Sequence, residues 1–139
     1  NPERTSKSKI LDNEDKDLKK IILKISKIIN LDPKNCEPVV FTKYKENEEY
    51  KPHFDAFLNP SENNQRIYTA ILYLSECSGG ETFFDKLSIK IKAVKGSICL
   101  FENCINNTDH INPGSLHSGL KVKNGEKIIM TFWFRRHNF

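Results

Sequence analysis

His53 and Asp55 stand two residues apart within Tyr-Lys-Pro-His-Phe-Asp at 50–55, a spacing that points both side chains to one face of an extended strand. An imidazole beside a carboxylate supplies two of the three protein ligands of a facial metal site, the arrangement used by oxygenases that keep open positions on the metal. The third ligand has to come from a distant segment, and Gly-Ser-Leu-His-Ser-Gly at 114–119 offers His117. The pair alone carries little weight, since a surface histidine beside an aspartate is common by chance. His110, in the polar run Asn106-Asn107-Thr108-Asp109-His110, is the rival for the third position, and His137 reads as solvated.

A second constellation follows His117. Lys127 stands ten residues on, Thr131 four beyond it and Trp133 two further, so the three project from one face of a single strand. The intervening residues are otherwise apolar, which places an ammonium in or beside a core. Such a charge is costly to bury unless an anion pairs with it, and a dicarboxylic co-substrate would supply that anion. The plainer alternative leaves Lys127 at a solvated strand end and Trp133 in the core. Tyr50, three residues before His53, faces away from it in a regular strand and reads as core. Tyr44 reaches the metal only if the chain turns at Glu46-Asn47-Glu48.

These side chains need a frame. Helical periodicity is confined to the first quarter, where Leu18, Ile21, Ile22, Ile25, Ile28 and Ile29 recur at three- and four-residue steps. Asp12 or Asn13 would cap this helix, and Pro33 and Asn35 would end it. Short apolar or β-branched runs follow at 37–44, 50–54, 66–74, 82–84, 89–94, 97–101 and 127–135, which predicts an antiparallel barrel or sandwich. Turn signals sit at Asn59-Pro60-Ser61, Ser78-Gly79-Gly80, Lys95-Gly96, Asn112-Pro113-Gly114 and Asn124-Gly125. The polar stretch from Asn103 to Gly114 is the longest expected surface loop, and it leads directly into His117.

With 139 residues and 37% hydrophobic content, the chain fits one domain with one core and one site. A net charge of +4 with scattered lysines speaks against nucleic-acid binding. No apolar run approaches the roughly 20 residues that span a bilayer, and the start Asn-Pro-Glu-Arg-Thr-Ser lacks the regions of a signal peptide. The expectation is a soluble chain. Cys36, Cys77, Cys99 and Cys104 show no zinc-type spacing and read as free thiols.

Taken in order, Tyr44, Tyr50-Lys-Pro-His53-Phe-Asp55, Gln65-Arg66-Ile-Tyr-Thr69-Ala-Ile-Leu-Tyr73-Leu, Gly79-Gly80-Glu81-Thr82-Phe-Phe84, Lys95-Gly96, His117-Ser-Gly119, Gly125-Glu-Lys127 and Trp133 resemble the iron(II)- and 2-oxoglutarate-dependent prolyl 4-hydroxylases. The resemblance starts at Arg4-Thr5-Ser6 and runs nearly end to end. It implies a mainly β fold, a double-stranded β-helix of the jelly-roll or cupin-like barrel type with an N-terminal supporting α-helix. Residues 1–139 would form a single catalytic domain, relatives carrying further strands and helix before it.

The same resemblance implies that His53, Asp55 and His117 bind Fe(II). Lys127 would pair with the distal carboxylate of 2-oxoglutarate, aided by Thr131 and the hydroxyl of Tyr73. Tyr44 would lie near co-substrate or substrate, and Trp133 would wall the pocket. Arg66 and Arg135 fall at substrate-side positions, with a strand-end salt bridge an equal alternative for Arg66. The implied activity is procollagen-proline 4-dioxygenase-like. Peptidyl proline would be hydroxylated at C4 with O2, 2-oxoglutarate would lose carbon dioxide to give succinate, and ascorbate would serve as reductant. The implied partner is a proline-containing protein or peptide. Alternatives are a same-fold oxygenase acting on lysyl side chains or another substrate such as alkylated nucleic acid, and a non-catalytic barrel that only binds. The chain departs from the family at Asn47-Glu48 where Gly-Gln is usual, at Ser97 in place of Asp, and at Leu120-Lys121 in place of Cys-Pro. Asn accepts a left-handed backbone less readily than Gly, so the first departure bears on a turn.

Overall fold

The computed structural model describes residues 5–60 and 63–139. Arg4, where the resemblance starts, and Ser61 of the 59–61 turn signal lie outside the described residues. The elements run β1 (Lys7–Ile10), α1 (Lys16–Ile29), β2 (Val40–Tyr44), β3 (Tyr50–His53), β4 (Arg66–Tyr73), β5 (Cys77–Gly79) and β6 (Thr82–Phe84). They continue with β7 (Ile89–Ile91), β8 (Ile98–Glu102), β9 (His117–Gly119), β10 (Val122–Gly125) and β11 (Lys127–Arg135). A major sheet has the order β1-β2-β11-β4-β8, a minor one β3-β9-β6-β7, and β10 pairs with β5. Every pairing is antiparallel. The expected jelly-roll frame is therefore present.

The pattern of β11 explains how the sheet divides the molecule. Its neighbours β2 and β4 cover both edges, and successive side chains alternate between its faces. Met130, Phe132 and Phe134 join Leu18, Ile22, Ile25 and Val39 in one core cluster, so α1 packs on the outer face of the major sheet. Ile129 turns the other way and packs with Tyr44, Ile71, Tyr73, Phe84 and Val122 in a second cluster between the sheets. A strand buried on both sides reads as a near-continuous apolar run, which is what 128–134 shows. Leu18, Ile22 and Ile25 are all 5% exposed or less, and each contributes roughly 1.5–3 kcal/mol by leaving water.

The helix differs from expectation at both ends. Its N-cap is Asp15, whose Oδ2 accepts the Leu18 N–H at 3.0 Å, while Asp12 accepts from Glu14 N in the preceding turn. Asn13 is used elsewhere: its Oδ1 accepts Val39 N–H at 3.0 Å and its Nδ2 donates to Glu37 O at 3.0 Å, tying the helix entry to the approach of β2. The helix stops at Ile29 because Asn30 takes a left-handed conformation with φ 56°. Pro33 and Asn35 belong to a separate 3-10 turn. Four strands escaped the pattern reading. β1 is exposed along its length, and β5, β9 and β10 are short and rich in Ser, Gly and Lys, so they carry no apolar alternation.

All four cysteines are free, with Cys36, Cys99 and Cys104 buried. Burial pushes the Cys99 and Cys104 thiols up to about 11. Among the described residues, no helix is long and apolar enough to cross a membrane.

Candidate active site

The β3–β9 pairing sets His53 directly opposite His117. Their rings lie 4.3 Å apart, centre to centre, at an interplanar angle of 61°. Asp55 is not on the strand. β3 ends at His53, and Asp55 sits in the bend that follows, buried, with Oδ1 3.4 Å from His53 Nε2 and 3.5 Å from His117 Nε2. The shared face expected of an extended strand is thus achieved by a bend.

Both imidazoles are oriented by the same local device. His53 Nδ1 donates to Lys51 O and His117 Nδ1 to Ser115 O, each at 2.7 Å. A carbonyl oxygen only accepts, so each Nδ1 carries a proton, and in the neutral ring Nε2 is then the atom that presents a lone pair. Burial lowers the pKa of His117 against the opposing charge of Asp55, which favours the neutral, ligating form. The ligand atoms of His53, Asp55 and His117 all lie within 4.8 Å of one another. Two nitrogen lone pairs and an anionic oxygen facing one point repel unless a cation sits among them. The donor set fits a divalent metal held on one face.

The outer oxygen of Asp55 is occupied. Oδ2 accepts the Thr69 hydroxyl at 2.8 Å and the Trp133 Nε1–H at 3.1 Å. Burial alone would raise the Asp55 carboxyl, but the two imidazoles beside it and the Thr69 bond outweigh it and hold it well below the usual range.

Lys127 opens β11 opposite Tyr44 of β2. It is 3% exposed, and the ion pairs of the described residues do not include it. Burial brings its ammonium down to about 8. Two glycines leave space for its stem. A Cβ at Gly80 would come within 3.0 Å of Lys127 Cδ, and one at Gly119 within 3.4 Å of Nζ. Lys127, Thr131 and Trp133 line the same pocket as His53, Asp55 and His117. Tyr44 also lines it. The Asn47 turn, with φ 70°, makes the fold-back after Tyr44. Tyr73 is buried behind the wall, where its hydroxyl meets Thr82 Oγ1 at 2.6 Å, and Thr82 in turn faces the pocket.

Tyr50 departs from its reading as a core residue facing away. Its ring stacks on His53 with centroids 3.7 Å apart and planes 15° from parallel, and it lines the pocket. The register shifts between Tyr50 and His53, which turns both rings to one side. Pro52 was the available signal, because proline inside a strand marks an edge or a bulge.

At the other end of β11, Arg66 and Arg135 converge on Glu37. Arg66 Nε and Nη2 donate to its two carboxylate oxygens at 2.6 and 2.9 Å, and Arg135 Nε donates to Oε2 at 2.6 Å. Burial would raise the Glu37 carboxyl, and the two guanidinium groups outweigh it, leaving it lowered. The Arg66 guanidinium lies 4.0 Å from the Trp133 ring centre and 4.7 Å from that of Phe57. Arg66 therefore makes a salt bridge while remaining stacked on the pocket wall. Thr69 and Thr82 stood in the sequence only as parts of the matching motifs and Glu37 not at all, because single polar residues in apolar runs declare no partner. His110 and His137 are exposed and outside the cluster.

Residues 39–135 match the 2OG-Fe(II) oxygenase superfamily. The chain is 34% identical over 131 residues to a putative prolyl 4-hydroxylase of Acanthamoeba polyphaga mimivirus, covering 88% of this chain and 54% of that protein. It is 31% identical to prolyl 4-hydroxylase 5 of Arabidopsis thaliana, covering 98% of this chain and 55% of that one. It spans about half the length of these curated relatives. Among solved structures, the viral collagen prolyl hydroxylase of Paramecium Bursaria Chlorella virus-1, in complex with 2OG, superposes with a TM-score of 0.85 at 30% identity, covering 96% of this chain and 80% of that one.

Proposed function

Because this chain belongs to the 2OG-Fe(II) oxygenase superfamily, we propose that it is an iron- and 2-oxoglutarate-dependent dioxygenase that hydroxylates peptidyl proline at C4. The observation that carries this reading is one pocket holding two poles. At one, His53 Nε2, Asp55 Oδ1 and His117 Nε2 converge with their lone pairs inward; at the other stands the buried ammonium of Lys127, outside every ion pair of the described residues. A 2-oxo acid that chelates at the first pole and carries a second carboxylate to the other satisfies both.

His53, Asp55 and His117 would hold Fe(II), which when bound supplies the redox chemistry coupling decarboxylation of 2-oxoglutarate to insertion of one oxygen atom into a C–H bond. The residues of the chain bind and orient. Lys127 pairs with the distal carboxylate and discriminates against ligands that lack it, since an ammonium left unpaired in a buried site rejects them. Thr131 lines the wall two positions from Trp133 and offers a hydroxyl to the same carboxylate. Tyr44 stacks beside the ammonium and limits the width of the pocket. The apolar wall of Ile71 and Ile129 keeps water from the reacting groups.

Trp133, Tyr50 and the Glu37-bound Arg66 and Arg135 would receive the peptide. Flat aromatic faces suit a pyrrolidine ring, and guanidinium groups suit peptide carbonyls. Similarity to a viral collagen prolyl hydroxylase and to plant and viral prolyl 4-hydroxylases supports a proline substrate, and a procollagen-type repeat is the first candidate. Ascorbate is proposed as the reductant.

The test is mass spectrometry of proline-rich peptides, collagen-like ones included, after incubation with Fe(II), 2-oxoglutarate and ascorbate, with succinate followed in parallel. A gain of one oxygen at proline that is lost in His117→Ala supports the assignment. Succinate release without proline oxidation would move the substrate to another side chain. Neither product from a folded chain would leave only a binding module.

A further inference from the structure

Behind Asp55 the polar contacts continue for two residues more. Thr69 on β4 and Asn103 just after β8 are both 0% exposed. The Thr69 hydroxyl donates to Asp55 Oδ2 at 2.8 Å, and Asn103 Nδ2 lies 2.8 Å from Thr69 Oγ1. Thr69 has one hydroxyl proton. An ionised carboxylate only accepts, so that proton goes to Asp55 and Thr69 must accept from the Asn103 amide. This fixes the amide with Nδ2 toward Thr69 and Oδ1 away. Oδ1 has no hydrogen-bond partner among the described residues.

A buried amide with an unanswered carbonyl weakens a fold, whereas a leucine of similar size would fill the same space without that loss. Stability therefore does not explain Asn103. Its one side-chain bond goes to the hydroxyl that holds Asp55. Its main chain does a second thing, donating to Ile67 O and accepting from Asn112 N, both at 2.9 Å. Those bonds close the base of the loop that delivers the chain to His117.

We propose that Thr69 and Asn103 are positioning residues of the metal centre. Acting through Asp55, they fix its carboxylate so that Oδ1 alone faces the imidazoles and the metal is held by a single Asp oxygen. The Trp133 N–H occupies the same outer oxygen from the other side, so Oδ2 cannot turn inward and take one of the positions left for co-substrate and dioxygen. The inference rests on reading His53, Asp55 and His117 as metal ligands.

The experiment is a metal titration of the whole chain under anaerobic conditions, with Fe(II) and separately Co(II). Fluorescence of Trp133, the only tryptophan, reports affinity, and the visible absorption of the Co(II) form reports coordination. Thr69→Val should weaken metal binding about ten- to a hundredfold and alter the Co(II) spectrum, with the metal-free Tm little changed, and Thr69→Ser should restore both. Asn103→Asp puts an acceptor where the donor was, draws the Thr69 proton off Asp55 and should match Thr69→Val. Asn103→Leu should keep or raise the metal-free Tm while lowering affinity, a split that a merely structural residue would not give. Should Thr69→Val lower the metal-free Tm as well, rescue of affinity by Thr69→Ser and the split in Asn103→Leu decide for the proposal, and their absence decides against it. Affinity in Thr69→Val within about twofold of the parent, with the Co(II) spectrum unchanged, overturns the proposal. A parent chain that binds neither metal overturns the ligand reading itself, a distinct outcome.

Discussion

Lys127 Nζ lies 4.9 Å from the centre of the Tyr44 ring, across the paired strands β2 and β11. The ring face returns part of what the ammonium loses on leaving water, but no carboxylate of the described residues completes the pair. Burial lowers the folded-state pKa from 10.5 to about 8. The charged form is thus disfavoured by folding, a penalty fully present below about pH 8 and gone above the unfolded value. Lys127→Met should stabilise the ligand-free chain at neutral pH by up to roughly 3 kcal/mol and abolish 2-oxoglutarate binding. Thermal denaturation with and without 2-oxoglutarate checks both, and a destabilised Lys127→Met would contradict the account.

If Lys127 anchors the co-substrate as proposed, the same ammonium should give its binding a pH limit. Below about 8 it is charged and, in the proposed role, would pair with the distal carboxylate; above that pH the charge would be lost before the dicarboxylate could use it. The 2-oxoglutarate Kd should be flat toward pH 7 and rise about tenfold per pH unit well above 8. Calorimetric titration between pH 7 and 9.5 reads this directly. A Kd constant across that range would remove Lys127 from the role.

Trp133→Phe keeps an aromatic wall for Arg66 and deletes one donor to Asp55 Oδ2, leaving the Thr69 bond. Metal affinity should fall by about tenfold, the lower end of what outer hydrogen-bond partners contribute. The metal-dependent rise in Tm is a suitable readout, because Trp133 fluorescence is lost with the residue. A peptide KM that rises while metal affinity is unchanged would assign Trp133 to substrate alone.

Glu37 holds two arginines, and Glu37→Gln releases their charge compensation together with strong hydrogen bonds. The loss should be about 2 kcal/mol at neutral pH. Because the folded-state pKa lies below the ordinary 4.5, this contribution is complete above about pH 4.5 and fades as the pH falls through the folded value. Urea denaturation of the parent and Glu37→Gln should therefore converge in acid. A freed Arg66 should also raise the peptide KM more than it lowers kcat.

What the sequence made legible, and what it hid, follows from how each feature is encoded. The β11 pattern is periodic, so the shared face of Lys127, Thr131 and Trp133 was readable from spacing alone. The His53–Asp55 pair was readable as a pair, but its geometry was not, since a bend rather than a strand brings Asp55 under the imidazoles. Tyr50 was misread because a regular period was assumed across Pro52, where the register shifts. The helix cap moved to Asp15 because Asn13 has a tertiary partner in Val39 that local pattern cannot reveal. Short strands such as β9 take their conformation from the neighbours they pair with, and so His117 sits on a strand that has no strand signal of its own.

The two poles of the pocket are mounted on different kinds of support. Asp55 sits in a bend steadied by side chains, whereas Lys127 and Trp133 are fixed to one unbroken strand clamped on both edges. Six residues of such a strand span roughly 20 Å with no joint between them, so β11 works as a ruler with the proposed co-substrate anchor at one end and the proposed substrate wall at the other. A ruler of period two tolerates substitution along its length but not a change in count. One residue inserted between Lys127 and Trp133 would leave the indole in the pocket and send the ammonium to the opposite face of the sheet.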